Sequence, residues 1–171
     1  MNKEHKNRTK ELVKKDESFE IGTAKANYII EDIVGDFKSG VDYAVVVKGK
    51  KPTLLVPGAD KLAFRFNLIA QFSKDSEVME MLAHIKGLVA FKCELIMRNT
   101  GKKIGEGRGS AVLGEGGNCK DANSTIKMSE IRAKKDAILN VFPVRDRFTQ
   151  DMEEENFEAK VAVDKDGNIS I

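Results

Sequence analysis

The sequence predicts an α+β domain in which an antiparallel β-sheet, built around a hairpin, packs on a long α-helix. Three observations predict it. From Gly87 to Arg98 the apolar residues Val89, Phe91, Cys93, Leu95 and Met97 alternate with Lys92, Glu94 and Arg98, the period of two of a half-buried strand. Asn99-Thr100-Gly101-Lys102 then supplies turn chemistry, and Lys103 to Val112 returns as the partner strand, with Gly105, Gly107, Gly109 and Ala111 on one face. Past a Gly-rich loop, Asn123 to Phe142 carries Met128, Ile131, Ile138, Leu139 and Phe142 at helical spacing and stops before Pro143.

The remaining elements follow in chain order. Residues 1–19 are polar and Lys-rich and read as a basic flexible arm. Between Ala24 and Phe37, Ala26, Ile29, Ile30, Ile33, Val34 and Phe37 recur every three or four positions, predicting a helix closed by Gly40. The β-branched run Val45-Val46-Val47 predicts a strand over Val41–Lys48, ending in the basic turn Lys48-Gly49-Lys50-Lys51-Pro52. Pro57 suits the first position of a second helix, whose apolar stripe is Leu62, Phe66, Ile69 and Phe72; Ser73–Glu80 is polar and ambiguous. The glycine row in the hairpin leaves positions without side chains, which allow a helix or another backbone to approach closely. The core domain is thus expected over 20–150, with 151–171 as an acidic tail whose last part, Phe157 to Ile171, is either a loose hairpin or disordered.

Length and composition narrow the function. At 171 residues, with 41% hydrophobic residues and no Trp, the chain fits one globular domain with tails. It has no apolar run of membrane-spanning length, its first residues lead into charge, and its two cysteines (Cys93, Cys119) lie far apart. The expectation is a cytoplasmic protein with reduced thiols. The net charge of +2 hides an asymmetry: Asp151 to Ile171 carries −5, leaving +7 on residues 1–150. Basic bodies gain affinity for nucleic acid by displacing phosphate counterions, although a solvated surface with an acidic end explains the same numbers.

No catalytic constellation emerges, so the chain is read as a non-enzyme without cofactor or metal. The run Gly105-Glu106-Gly107-Arg108-Gly109 is GxGxG inside a strand, not a GxGxxG or GxxxxGK[ST] loop opening a helix. Two His (His5, His84) and two distant Cys make no zinc site, and Asp164-Lys165-Asp166-Gly167-Asn168 has its Gly in the wrong place for a calcium loop. What remains is a set of cations: Lys48, Lys50 and Lys51 in the first turn, Lys61 and Arg65 on the second helix, Lys102, Lys103 and Arg108 on the hairpin, and Lys127, Arg132, Lys134 and Lys135 on the long helix. If hairpin and helix pack side by side, two of these groups converge into a groove that follows a phosphate backbone. Arg132 is also placed to pair with Asp136, and Lys135 to lie along the apolar stripe.

Several segments together resemble the Rad52-like single-strand annealing proteins of phages. They are Lys51–Leu62 (KPTLLVPGADKL), Gly105–Ala111 (GEGRGSA), Ala122–Met128 (ANSTIKM), Arg132-Ala133, Asp136-Ala137 and Phe148–Met152 (FTQDM). The resemblance implies a Rad52-like β-β-β-α core and ATP-independent binding and annealing of single-stranded DNA in phage-type recombination. It also implies assembly into a homo-oligomeric ring or helical filament, with a phage exonuclease or a host single-strand-binding protein as further partners. From the cations set out above, Arg132, Lys127, Lys134, Arg108 and Lys103 are taken as the leading phosphate contacts, with Lys50, Lys51 and Arg65 behind them and Lys92 and Arg98 as alternatives on the exposed hairpin face; of these, Arg132 matches the relatives' basic cluster by position. The relatives carry a basic pair just before Arg132; here those positions are Glu130 and Ile131. That departure keeps open an alternative, a protein-interaction module on the same fold that binds a partner without annealing. A nuclease using the acidic tail ranks last.

Overall fold

In the computed structural model, residues 27–46 and 50–149 are described, together with two short strands near the C-terminus. Residues 27–35 form helix α1, inside the stretch whose apolar period predicts it. Contact density divides the chain between Asp36 and Phe37. The second unit begins with a small antiparallel pair, β1 (Tyr43–Ala44) and β2 (Thr53–Leu54), in which Tyr43 faces Leu54 and Ala44 faces Thr53. The strand expected over Val41–Lys48 is therefore only two residues long. Its partner strand is limited on one side by Pro52, which has no N–H to give, and on the other by the helix that starts at Val56.

That helix, α2 (Val56–Arg65), has Pro57 in its first turn and buries Gly58, Ala59, Leu62 and Ala63. A Cβ on Gly58 would collide with the Asp42 carbonyl oxygen and come within 2.9 Å of Leu54 Cδ1, so glycine permits the helix to sit against the β1 loop. The expected stripe Leu62-Phe66-Ile69-Phe72 is split. Helix α2 stops at Arg65 because Asn67 adopts a left-handed conformation (φ 54°), and Ile69 and Phe72 belong to strand β3 (Leu68–Lys74). The ambiguous stretch resolves into the end of β3 and a short helix, α3 (Ser76–Met81), capped by Asp75, whose side chain accepts from the Val78 N–H at 3.3 Å.

The hairpin is as the alternation predicts. Strands β4 (Leu88–Met97) and β5 (Lys103–Val112) pair antiparallel across Gly101 (φ 68°), and β3 adds to the other side of β4, giving the order β3-β4-β5. Directly opposite residues share a face, so Cys93 lies beside Gly107 and Phe72, and Leu95 beside Gly105 and Ala70. Across β4 and β5 this face is covered by helix α4 (Ala122–Val141), which starts one residue earlier than expected because Asp121 and Ser124 form a reciprocal capping box. It ends at Phe142, ahead of Pro143.

The glycine row fixes how close α4 comes. A Cβ on Gly107 would strike the Ala137 amide nitrogen and lie 2.6 Å from the Ala133 carbonyl oxygen; on Gly109 it would strike the Ala133 nitrogen and the Ser129 oxygen. The helix answers with small residues of its own. Its buried line against β5 is Thr125, Ser129, Ala133 and Ala137, four apart, whereas Met128 and Ile131, expected in the buried stripe, are half-exposed. Larger side chains complete the core: Ile138, Leu139, Phe142 and Val144 are buried, as are Leu54, Leu62 and Leu95, and Phe66 packs on Phe142 at 4.7 Å between ring centroids.

Side chains of α4 also satisfy the backbone groups of β5 that face away from β4. Arg132 donates to the Ser110 carbonyl (2.6 Å), Asp136 accepts from the Arg108 N–H (3.0 Å), and Asn140 donates to the Glu106 carbonyl (3.0 Å). The helical spacing of four matches the strand spacing of two. Ser129 adds a bond to the Gly109 carbonyl (2.8 Å).

The basic arm at 1–19 lies outside the described residues, as do most of 151–171. Of the hairpin expected near the C-terminus, β6 (Ala162–Val163) and β7 (Ile169–Ser170) pair antiparallel. Among the described residues no helix is long and apolar enough to cross a membrane.

Two substitutions test the packing. Gly107→Ala should lower unfolding free energy by about 2 kcal/mol or more, because its methyl group meets helix backbone that cannot rotate away. Gly117→Ala, in open space at an ordinary φ, should change it by less than about 0.5 kcal/mol; urea denaturation of both variants provides the comparison.

Candidate functional site

The expected cations are spread over several places and do not share one groove. Arg108 alternates with Gly107 and Gly109, so its side chain leaves the sheet on the face opposite α4, where Lys92 lies directly across from it. Lys103 joins them there, its ammonium 2.6 Å from both Glu94 and Glu106. Hairpin and helix do pack together, but the glycine row faces the helix and the hairpin cations face away. Arg132 and Lys134 are on α4 itself. Lys50 and Lys51 sit by the segment that follows α4, because a parallel bridge joins Thr53 to Thr149.

Most of these cations meet carboxylates. Arg108 binds Glu77 at 2.8 Å and approaches Asp75 at 3.4 Å; Lys92 lies 3.6 Å from Asp75 and 3.7 Å from Glu77. On this open face Asp75, Glu77, Glu94 and Glu106 stand against Lys92, Lys103 and Arg108, four carboxylates to three cations. Lys134 reaches across to Asp60 on α2. Arg132 grips Glu115 with both terminal nitrogens, each at 3.1 Å, in addition to its bond to Ser110. Its expected partner, Asp136, instead receives Arg145 at 3.1 Å. A guanidinium held by a carboxylate on one side and a carbonyl on another is first a clamp between α4, β5 and the loop after β5.

The electrostatics agree with the geometry. The hydrogen bond from Arg108 and its charge hold the Glu77 carboxyl below its usual range, the same bond raises Arg108, and Lys103 lowers Glu106 while being raised in turn. Glu115 is lowered by its bond to Arg132. At the start of α4 the carboxylate of Asp121 is lowered chiefly by the Ser124 amide, with Lys127 adding a weaker attraction. That carboxylate occupies the helix N-terminus where an external anion would otherwise sit.

Other cations remain outward. Lys127 is exposed in the second turn of α4, and Arg65 is exposed at the end of α2. Lys51 is exposed, and its ammonium donates to the Arg145 carbonyl at 3.0 Å, which binds it without cancelling its charge. Lys50 is exposed beside it in sequence. The bridge between Thr53 and Thr149 therefore gathers Lys50, Lys51, Arg145 and Arg147 in one region, and the last two were missed from sequence because nothing local ties 145–147 to 50–51. Lys135 is buried on α4.

Two further buried carboxylates organise the surroundings. Asp42 accepts from Lys61 Nζ (2.6 Å) and the Lys38 amide (2.9 Å), while its Oδ1 is buried without a hydrogen-bond partner among the described residues. Burial pushes its carboxyl up, but Lys61 and the Lys38 amide outweigh that and leave it below the ordinary value. Asp75 is fully buried between α3 and the sheet. The cysteines are both buried, and burial pushes the Cys93 thiol up to about 11, so it is not a ready nucleophile. Among the described residues no three His, Cys, Asp or Glu side chains form a group able to hold a metal ion.

No family model matches the chain, and no curated protein or solved structure matches it either.

Two outcomes follow from the pairing. Because Asp42, Glu77, Glu106 and Glu115 all have folded values below the ordinary carboxylate range, their stabilisation is complete above that range and is lost as the pH falls through the lowered values. Urea unfolding followed from neutral pH down should hold steady to about pH 5 and then fall. Arg132→Ala should cost about 1–3 kcal/mol in the same assay at neutral pH, since it removes the side-chain donor to the Ser110 carbonyl and leaves Glu115 with the Val112 amide but without its guanidinium.

Proposed function

We propose that the chain binds single-stranded DNA and anneals complementary strands without a nucleotide cofactor, as a homo-oligomer of Rad52-like type. The observation that carries this reading is the β3-β4-β5-α4 unit. An antiparallel meander lies under one long helix, with the glycine row at their contact, in the arrangement that the resemblance of Gly105–Ala111 and Ala122–Met128 implies. Annealing makes and breaks no covalent bond. It needs a surface that neutralises two phosphate backbones while leaving bases free to pair, and cations on rigid elements suit that task.

Within this reading the outward cations make the first contacts. Lys127 on α4 and Lys51, whose ammonium meets the Arg145 carbonyl, form no ion pair with a carboxylate among the described residues. Arg108, Lys103, Lys134 and Arg132 contribute only where phosphate competes with Glu77, Glu94, Glu106, Asp60 or Glu115 for them. Arg132 is thus both a clamp and a candidate contact, and its removal affects folding as well as binding.

A second reading is favoured by that same pairing. A sheet face on which Lys92, Lys103 and Arg108 are each met by carboxylates suits a protein-interaction module on this fold, binding a partner rather than a phosphate backbone. Salt dependence separates the two. A labelled oligonucleotide should bind at low ionic strength and dissociate steeply as salt rises, and Lys127→Ala together with Lys51→Ala should reduce the slope of log affinity against log salt by about 1.4, from about 0.7 per lost phosphate contact on a single strand. Annealing of complementary strands, with the complex sized alongside, should weaken in the same variant. Absent or salt-independent binding would remove the annealing reading and leave the interaction module.

A further inference from the structure

The open face of the sheet holds a feature that the binding reading does not itself require. Helix α3 is six residues long and buries none of its own side chains, yet it delivers two carboxylates onto the cations of that face. Asp75, at its N-cap, is fully buried and stands 3.4 Å from Arg108 Nε and 3.6 Å from Lys92 Nζ. Glu77, two residues on and largely exposed, bonds the other end of the Arg108 guanidinium at 2.8 Å and lies 3.7 Å from Lys92. Strand register places Lys92 and Arg108 directly opposite each other, so one acidic pair covers one basic pair.

We propose that α3 is a carboxylate latch on the single-strand-binding surface: Asp75 and Glu77 occupy the positions that phosphate oxygens take on Lys92 and Arg108 when DNA is bound. This rests on the annealing reading above. The Arg108 fork here meets one oxygen from each carboxylate, Glu77 by a hydrogen bond and Asp75 by charge at 3.4 Å, and a phosphate group offers two oxygens to the same fork. The two halves of the latch differ in how readily they leave. Asp75 is held by its burial and by the Val78 amide, whereas Glu77 is exposed and tied to the sheet by ion pairs alone. Release therefore starts at Glu77, by a rotation of its side chain or a lifting of α3, and exposes the Arg108 fork first. The latch keeps these cations satisfied in the absence of DNA and makes a polyanion displace an internal competitor before it engages them.

The test compares Glu77→Gln with Glu80→Gln, which removes the same charge from an exposed position on the same helix without touching Arg108. Binding of a labelled single-stranded oligonucleotide is measured at low ionic strength, with thermal melts confirming that each variant is folded. Glu77→Gln should bind about two- to fivefold more tightly than wild type, the scale of one exposed ion pair, and Glu80→Gln should gain clearly less. In an Arg108→Gln background the extra gain from Glu77→Gln should shrink to that of Glu80→Gln, because the freed contact is no longer there. If wild type binds and Glu77→Gln is no tighter than Glu80→Gln, the latch is overturned and the annealing reading stands. If wild type and Glu77→Gln both fail to bind, the annealing reading falls and takes the latch with it.

Discussion

The contact between α4 and β5 is the constraint on which the rest of this structure depends. Gly107 and Gly109 bring strand backbone against helix backbone at Ala133 and Ala137, with no side chain between them. Such an approach works only if both partners are small at the same height. The helix meets that demand with Thr125, Ser129, Ala133 and Ala137 at four-residue spacing. Once the two backbones are that close, Arg132, Asp136 and Asn140, next along the helix surface, are within reach of the strand's outward backbone groups. The position of the cations follows as well: residues alternating with the glycines must leave on the far side of the sheet.

The cations of the hairpin and the long helix that the sequence singles out are mostly paired. The net +7 on residues 1–150 suggests a basic surface, but in three dimensions Arg108, Lys103, Arg132 and Lys134 each have a carboxylate in contact. Exposed pairs of this kind contribute little to stability individually. Their larger effect is on recognition, since a paired cation must exchange one anion for another before it binds anything. Specificity then depends on which acid yields most easily, and the buried Asp75 and the exposed Glu77 mark the two extremes on one short helix.

Much of the fold was legible in the sequence because its signals are local. Alternation from Val89 to Met97, the turn at Gly101 and the stop before Pro143 each depend on neighbours within a few residues. The glycine row also indicated close packing, since a strand with no side chains on one face needs a partner to fill it. The end of α2 was not legible: Ile69 and Phe72 continue its helical period, and only the left-handed backbone at Asn67 and pairing with β4 turn them into strand. The buried line of α4 was missed for a similar reason, because Ser129 and Ala133 do not register as apolar anchors. The charge pairs were the least legible part. Arg108 and Glu77 are 31 residues apart, and Lys134 and Asp60 are 74 apart, so no spacing rule connects them.

The hydrogen bonds between β5 and the side chains of Arg132, Asp136 and Asn140 also make the sheet directional. A bare strand margin is a template for any extended chain, and proteins commonly protect such margins against aggregation. Here one margin is sealed by the protein's own helix, while among the described residues the other, along β3, has no strand beyond it and carries exposed Gln71, Phe72, Ser73 and Lys74. Any strand pairing along β5 would have to displace the Arg132, Asp136 and Asn140 side chains from its backbone, bonds that also join helix to sheet.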